Sequence, residues 1–341
     1  MSSSVEKSSG AQPTLTGSNI VYAGIAWAVA ALLFFLWFSI GDDRPFWYQI
    51  GTYIFEQLPF LGAALLCYRN FGSPQIASGR NVWWGIGLGM LSFFLGNLLF
   101  GWWEMGWGLS PEVSLGDFFF IFFYLFLGWG MILAVLPRRL NLELWQWGVV
   151  GAIGAVGIAL AAGLALSSPK GIPETPVAPA TEQVSPAAKT ATAKKAPVLT
   201  PGKTAPPVAD NPTTKKSAVA VASEKQPPQW VLSLEKQLEP LAKPLNLFYI
   251  VCDVVLLIIA ATLLLAFWGG RFAQSWRMIA AAAFAHYIAD MWFKFAEEHI
   301  TDYQSGFILE VFWVFSGVLF AIGAALEYET SNRKSKRKSR A

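Results

Sequence analysis

Charge is scarce in this chain, and so are histidine and cysteine. Asp, Glu, Lys and Arg make up 14% of its 341 residues, against roughly 25% in soluble domains. That deficit argues against a soluble globular protein. The two histidines, His286 and His299, cannot build a histidine-rich metal centre, and no H-x-x-x-H, H-E-x-x-H or G-x-S-x-G pattern occurs. The two cysteines, Cys67 and Cys252, both fall in apolar stretches and read as small packing residues, not as a disulfide or metal ligands. There is no nucleotide-binding loop and no nucleic-acid module. The expectation is a non-enzymatic protein with no cofactor, no metal and no nucleic-acid partner.

Apolar residues are abundant, at 54% of the chain, and they come in long blocks. A helix of about 20 apolar residues crosses the hydrocarbon with every backbone group satisfied. The predicted fold class is therefore all-α: a polytopic membrane protein with eight transmembrane helices, in contact with the lipid bilayer. The helices are placed at residues 19–40, 47–68, 82–104, 117–136, 146–167, 246–268, 276–297 and 306–328. Residues 1–17 read as a disordered N-terminus. Residues 168–243 read as a Pro/Ala/Lys-rich linker that lacks aromatics up to Gln229 and cannot bury enough surface to order itself. The end of that linker, Trp230 to Leu241, is amphipathic and suits an interface. Residues 330–341 form a basic tail.

Arg69, Arg80, Arg138, Arg139, Arg271, Arg277 and the tail occupy one set of loops. Asp42, Asp43, Glu104, Glu112, Glu297, Glu298 and Asp302 occupy the other. The positive-inside rule then predicts both termini in the cytoplasm and an extracytoplasmic linker. A bacterial cytoplasmic membrane is the expected location, with a thylakoid membrane as the alternative. Trp83, Trp84, Trp145, Trp147, Trp268 and Trp276 are predicted to mark one membrane interface. Trp47, Trp102, Trp103 and Trp107 are predicted to mark the other.

One pattern is written twice. Asn97, Glu104 and Asp117 recur as Asp290, Glu297 and Glu310, each pair 193 positions apart. A constant register of polar residues across apolar segments predicts two parallel four-helix repeats, related by an axis along the membrane normal. These six residues, with Glu56, Asp253, His286 and Lys294, are the candidate ligand-binding set, because ionisable groups inside spans are costly. His286, Asp290 and Lys294 lie at i, i+4 spacing on one helical stripe. Simpler readings stand beside this one. Asp117 follows Ser114 in an S-x-x-D capping pattern, Glu104 and Glu297 sit at an interface, and Lys294 either snorkels outward or pairs with Asp290. Glu56, Asn97 and Asp253 suit hydrogen bonds between helices. The Gly runs at 85–89 and 151–154 suit close helix packing.

Glu104 followed by Gly-Leu-Ser-Pro, Ser114-Leu-Gly-Asp117-Phe118 and Tyr124 stand in the first half. Phe248-Tyr249-Ile250-Val251-Cys252-Asp253, Asp290, Tyr303-Gln304-Ser305-Gly306, Glu310 and Trp313 stand in the second. In these motifs the chain resembles the multi-pass membrane input domains that precede bacterial diguanylate cyclases and histidine kinases. That resemblance implies an eight-helix sensory domain. The chain departs from it in its long linker and in ending on a basic tail without an output domain. The leading expectation is a sensor or accessory domain that binds a small polar ligand or cation from the outer side. Its tail would meet a cytoplasmic partner or anionic lipid. The alternatives are a secondary transporter or proton/ion-coupled carrier, and a membrane scaffold or assembly factor.

Overall fold

The computed structural model describes residues 17–38, 45–109, 113–136, 142–166, 227–269, 272–300, 303 and 305–338. Residues 1–16, the linker up to Gln226, the loop at Asp42 and Asp43, Glu112, Arg138, Arg139, Arg271 and Asp302 lie outside them. Among the described residues the secondary structure is entirely helical: α1 Gly17–Phe38, α2 Phe46–Gly72, α3 Arg80–Trp107, α4 Gly116–Val135, α5 Leu144–Leu166, α6 Gln229–Leu238, α7 Ala242–Ala266, α8 Ala273–His299 and α9 Val311–Lys338. Among the described residues, seven segments are long and apolar enough to cross a membrane, one of them the continuous run of α6 and α7. Large apolar side chains such as Leu33, Leu65, Val156 and Ile158 point outward from them. The protein is an integral membrane protein in contact with the bilayer. Helix α8 is long enough to cross but is outside those seven, because Arg277, His286, Asp290, Lys294, Glu297 and Glu298 lower its hydropathy.

Six helices pack as a closed ring, with α2 beside α3, then α4, α7, α8 and α9, which returns to α2. Helix α1 packs on α9, and α5 on α7. The neighbour order of the ring is unchanged when α2, α3 and α4 are exchanged with α7, α8 and α9. Across its centre, α3 meets α8 through large side chains 193 positions apart: Trp83 with Trp276 at 6.0 Å, Phe93 with His286 at 5.2 Å and Phe100 with Phe293 at 6.5 Å between ring centroids.

Glycine sets the spacing where α4 lies on α3. A Cβ on Gly130 would stand 2.7 Å from the Ile86 nitrogen and 2.9 Å from the Val82 oxygen. The contact of α9 with α8 repeats this geometry, with Gly323 against Ile279 and the Ser275 oxygen. Below the ring's polar end, Phe60, Met90, Phe123, Leu127, Trp276 and Phe320 close a dense apolar core.

Several expectations change. Trp83, Trp103 and Trp276 are fully buried, so they are core residues and not interface markers. The indole N–H of Trp83 donates to Ser78 Oγ at 2.7 Å, and that of Trp103 reaches Glu235 at 3.4 Å; these bonds let indoles be buried. Trp47, Trp102, Trp145, Trp147 and Trp268 remain exposed. The linker ends earlier than residue 243, since α6 begins at Gln229 and its Trp230 packs against Trp103 and Trp107. The backbone of α9 continues through residue 338, so most of the expected tail extends a helix.

Replacing Gly130 with Ala is expected to lower stability by about 1–3 kcal/mol, because the clash is with backbone that cannot step aside. Gly148→Ala, where a Cβ meets nothing within 4 Å, is expected to leave stability unchanged or slightly raised. Thermal unfolding in detergent compares the two.

Candidate ligand cavity at the polar end of the bundle

A cavity of about 490 Å³ opens inside the ring, at the end where α3 and α8 finish and α2, α4, α7 and α9 begin. Arg69, Arg80 and Arg277 lie toward the opposite end of the helices. All six ring helices contribute to its wall. The lining keeps the 193-residue register: Asn97 and Asp290, Phe100 and Phe293, Asp117 and Glu310, Phe120 and Trp313, and Glu56 and Tyr249 all face the same space. Helical spacing brings Phe93, Asn97 and Phe100 to one face of α3, and His286, Asp290 and Phe293 to one face of α8.

Two acids anchor helix starts. The Ser114 N–H donates to Asp117 Oδ2 at 2.6 Å, and the Gly116 N–H to Ser114 Oγ at 3.1 Å, so the S-x-x-D segment does brace the entry to α4. Asp117 also accepts from the Tyr249 hydroxyl at 2.7 Å. Glu310 plays the matching part before α9. It accepts from Gly306 N–H at 2.6 Å, from Phe307 N–H at 3.0 Å and from the Tyr303 hydroxyl. Gly306 has a positive φ of 111° and its oxygen accepts from the Tyr48 hydroxyl at 2.6 Å. A Cβ there would fall 2.7 Å from the Tyr48 ring, so glycine is required on both counts.

The remaining polar groups form two sets. In the first, Asn97 donates to Glu56 Oε2 at 3.3 Å, while Glu56 Oε1 is buried without a hydrogen-bond partner. Tyr53 donates to Glu104 at 2.5 Å nearer the rim. In the second, the Tyr124 oxygen lies 2.6 Å from both Asp253 Oδ1 and Asp290 Oδ2. A hydroxyl carries one proton and can serve only one of them. The other contact requires a proton on a carboxyl or a cation between the acids. Asp290 Oδ1 also accepts from the Trp313 indole at 2.5 Å, and His286 Nε2 lies 3.4 Å from Asp290 Oδ2. Lys294 donates to Asn246 at 3.1 Å and lies over the Tyr249 ring, so it pairs with Asn246 and not with Asp290.

Eight of the ten candidate residues line the cavity: Glu56, Asn97, Asp117, His286, Asp290, Lys294, Glu297 and Glu310. Asp253 and Glu104 do not, although each is one hydrogen bond from a wall residue through Tyr124 or Tyr53. Glu56 and Asp253 do not occupy matching places in the two halves. Glu56 faces the cavity and its partner in register is Tyr249, whereas Asp253 lies one turn further along α7, behind Tyr124. Sequence reasoning missed Tyr53, Tyr124, Asn246 and Trp313 as wall residues or acid partners. The register itself held the signal, since Asn246 and Trp313 stand 193 positions after Tyr53 and Phe120.

Comparison with known proteins found no matching family model, curated protein or solved structure.

Removing the Glu310 carboxylate by Glu310→Ala strands two backbone N–H groups and the hydroxyl of half-buried Tyr303. The variant is expected to lose about 3 kcal/mol or more, as bonds to charged groups contribute roughly 1.5–3 kcal/mol each. Unfolding in detergent measures the loss.

Proposed function

We propose that this membrane protein is a non-enzymatic binding module, a sensor or accessory domain, that takes a small amine-bearing or otherwise cationic ligand from the outer side. One observation carries the reading: acids outnumber Lys243 and Lys294 on the wall of a single cavity whose remaining surface is largely aromatic. Aromatic faces attract cations, by about 0.5–2 kcal/mol per well-placed ring. A volume near 490 Å³ is within the range of small-molecule sites.

Supporting the sidedness, three arginines, Arg69, Arg80 and Arg277, stand toward the end away from the cavity, as the positive-inside rule requires of a cytoplasmic face. Helix α8 counts as the eighth span in this reading, since α7 and α9 flank it and its polar stripe faces the cavity. The side-chain pairs in constant register, and the matched Gly130 and Gly323 contacts, support two copies of one four-helix unit. Resemblance to bacterial input domains fits a sensor that passes its signal to a partner through the cytoplasmic loops or the basic end of α9.

The contacts of Tyr124 with two acids favour a second reading, a proton-coupled carrier, because a proton held on one carboxyl would let the single hydroxyl bond both acids where the cavity meets α7 and α8.

One pair of measurements separates the two. A panel of primary and quaternary amines is expected to raise the unfolding temperature of the detergent-solubilised protein, and Glu56→Gln with Asp290→Asn is expected to abolish the shift. No flux is expected in proteoliposomes. Amine or proton flux abolished by the same substitutions would replace the sensor with the carrier. An absence of both responses would leave only a scaffold.

A further inference from the structure

The buried groups between α4, α7 and α8 ask for more than a proton. Asp253, His286 and Asp290 each bring one ligand-type atom, and these atoms all lie within 4.8 Å of one another. Asp253 is 1% exposed and His286 2% exposed. Asp253 Oδ2 and both ring nitrogens of His286 have no hydrogen-bond partner. The imidazole packs against Phe60, Phe93, Phe123 and Tyr124 on the wall of the cavity. Leaving buried polar atoms unmade is costly, roughly 1–3 kcal/mol each. A proton shared between the two carboxyls would reconcile them, yet His286, whose Nε2 lies 3.4 Å from Asp290 Oδ2, would still make no hydrogen bond. One doubly charged ion would neutralise both carboxylates, take up Asp253 Oδ2 and bind one ring nitrogen of His286.

We infer that Asp253, His286 and Asp290 form a site for one divalent transition-metal ion, set into the cavity wall behind Tyr124. A mixed set of one imidazole and two carboxylates suits Zn²⁺, Mn²⁺ or Fe²⁺ better than the all-oxygen preference of Mg²⁺ or Ca²⁺. Bonds near 2.1 Å put ligand atoms about 3.4 Å apart in a tetrahedral shell, so closing on the ion takes side-chain rotations of about an ångström. Trp313 and Tyr124 hold the carboxylates from outside that shell, as hydrogen-bonding partners do at metal sites. Three protein ligands leave a coordination position open, and His286 and Asp290 place it toward the cavity. The inference goes beyond the amine-binding reading and does not require it, because Asp253 lies off the cavity wall.

The test is metal binding by the full chain in detergent after treatment with a chelator, with Zn²⁺ titrated by calorimetry and Co²⁺ followed by its visible spectrum. One ion per chain is expected, with Co²⁺ bands of nitrogen and oxygen ligation. Asp253→Asn and His286→Asn are each expected to weaken binding roughly 100-fold, Tyr124→Phe about tenfold, and Glu143→Gln, at an exposed position away from the cavity, to leave it unchanged. No saturable uptake by the native chain overturns the site, as does native affinity in the His286 and Asp253 variants. Should those variants fail to fold, X-ray absorption of the native Zn²⁺ complex decides. One imidazole with oxygen ligands upholds the site, and a sulfur-containing or all-oxygen shell overturns it. Metal uptake without any amine response would sink the amine reading alone, and the reverse would sink only this one.

Discussion

An ionisable group buried in an apolar bundle needs a partner, because no bulk water is there to solvate it. That constraint organises the polar end of this protein. Asp117 and Glu310 meet it with backbone N–H groups and tyrosine hydroxyls, and so become fasteners for the starts of α4 and α9. Lys294 meets it through Asn246. Glu56, Asp253 and His286 meet it only in part, and these three lie on or beside the cavity inside the helical ring. The satisfied acids are architecture. The unsatisfied groups are where a ligand would do something.

Close packing makes that division possible. Gly130 on Ile86 and Gly323 on Ile279 bring helix backbones together at two matched places, and the apolar core beneath the cavity is shut by Phe60, Phe123 and Trp276. A dense floor keeps water from solvating the acids from below. The aromatic wall then surrounds them with surfaces that favour cations over anions. Tyr124 links the two sides of this arrangement, since it lines the cavity and also touches Asp253 behind it.

The ring has a functional consequence. Because α4 joins α7 and α9 joins α2, each half of the chain closes the other's gap, and neither half alone encloses the cavity. Residues of both halves line its wall.

The sequence by itself determined the helical class, the membrane setting, most helix boundaries to within a few residues and the 193-residue register of polar positions. These follow from composition and periodicity, which are local properties that survive without a fold. It also placed His286, Asp290 and Lys294 on one stripe, because helical geometry alone requires it. The tertiary structure decided which acids are fasteners and which face open space, since that depends on donors far away in the chain, such as Tyr249 for Asp117 and Tyr124 for Asp253. It decided that Trp83 and Trp276 belong to the core, because an indole next to a helix end is buried or exposed according to what packs over it. It decided that Asp253 joins His286 and Asp290, for only the packing of α7 on α8 brings a carboxylate from one helix to the side chains of another.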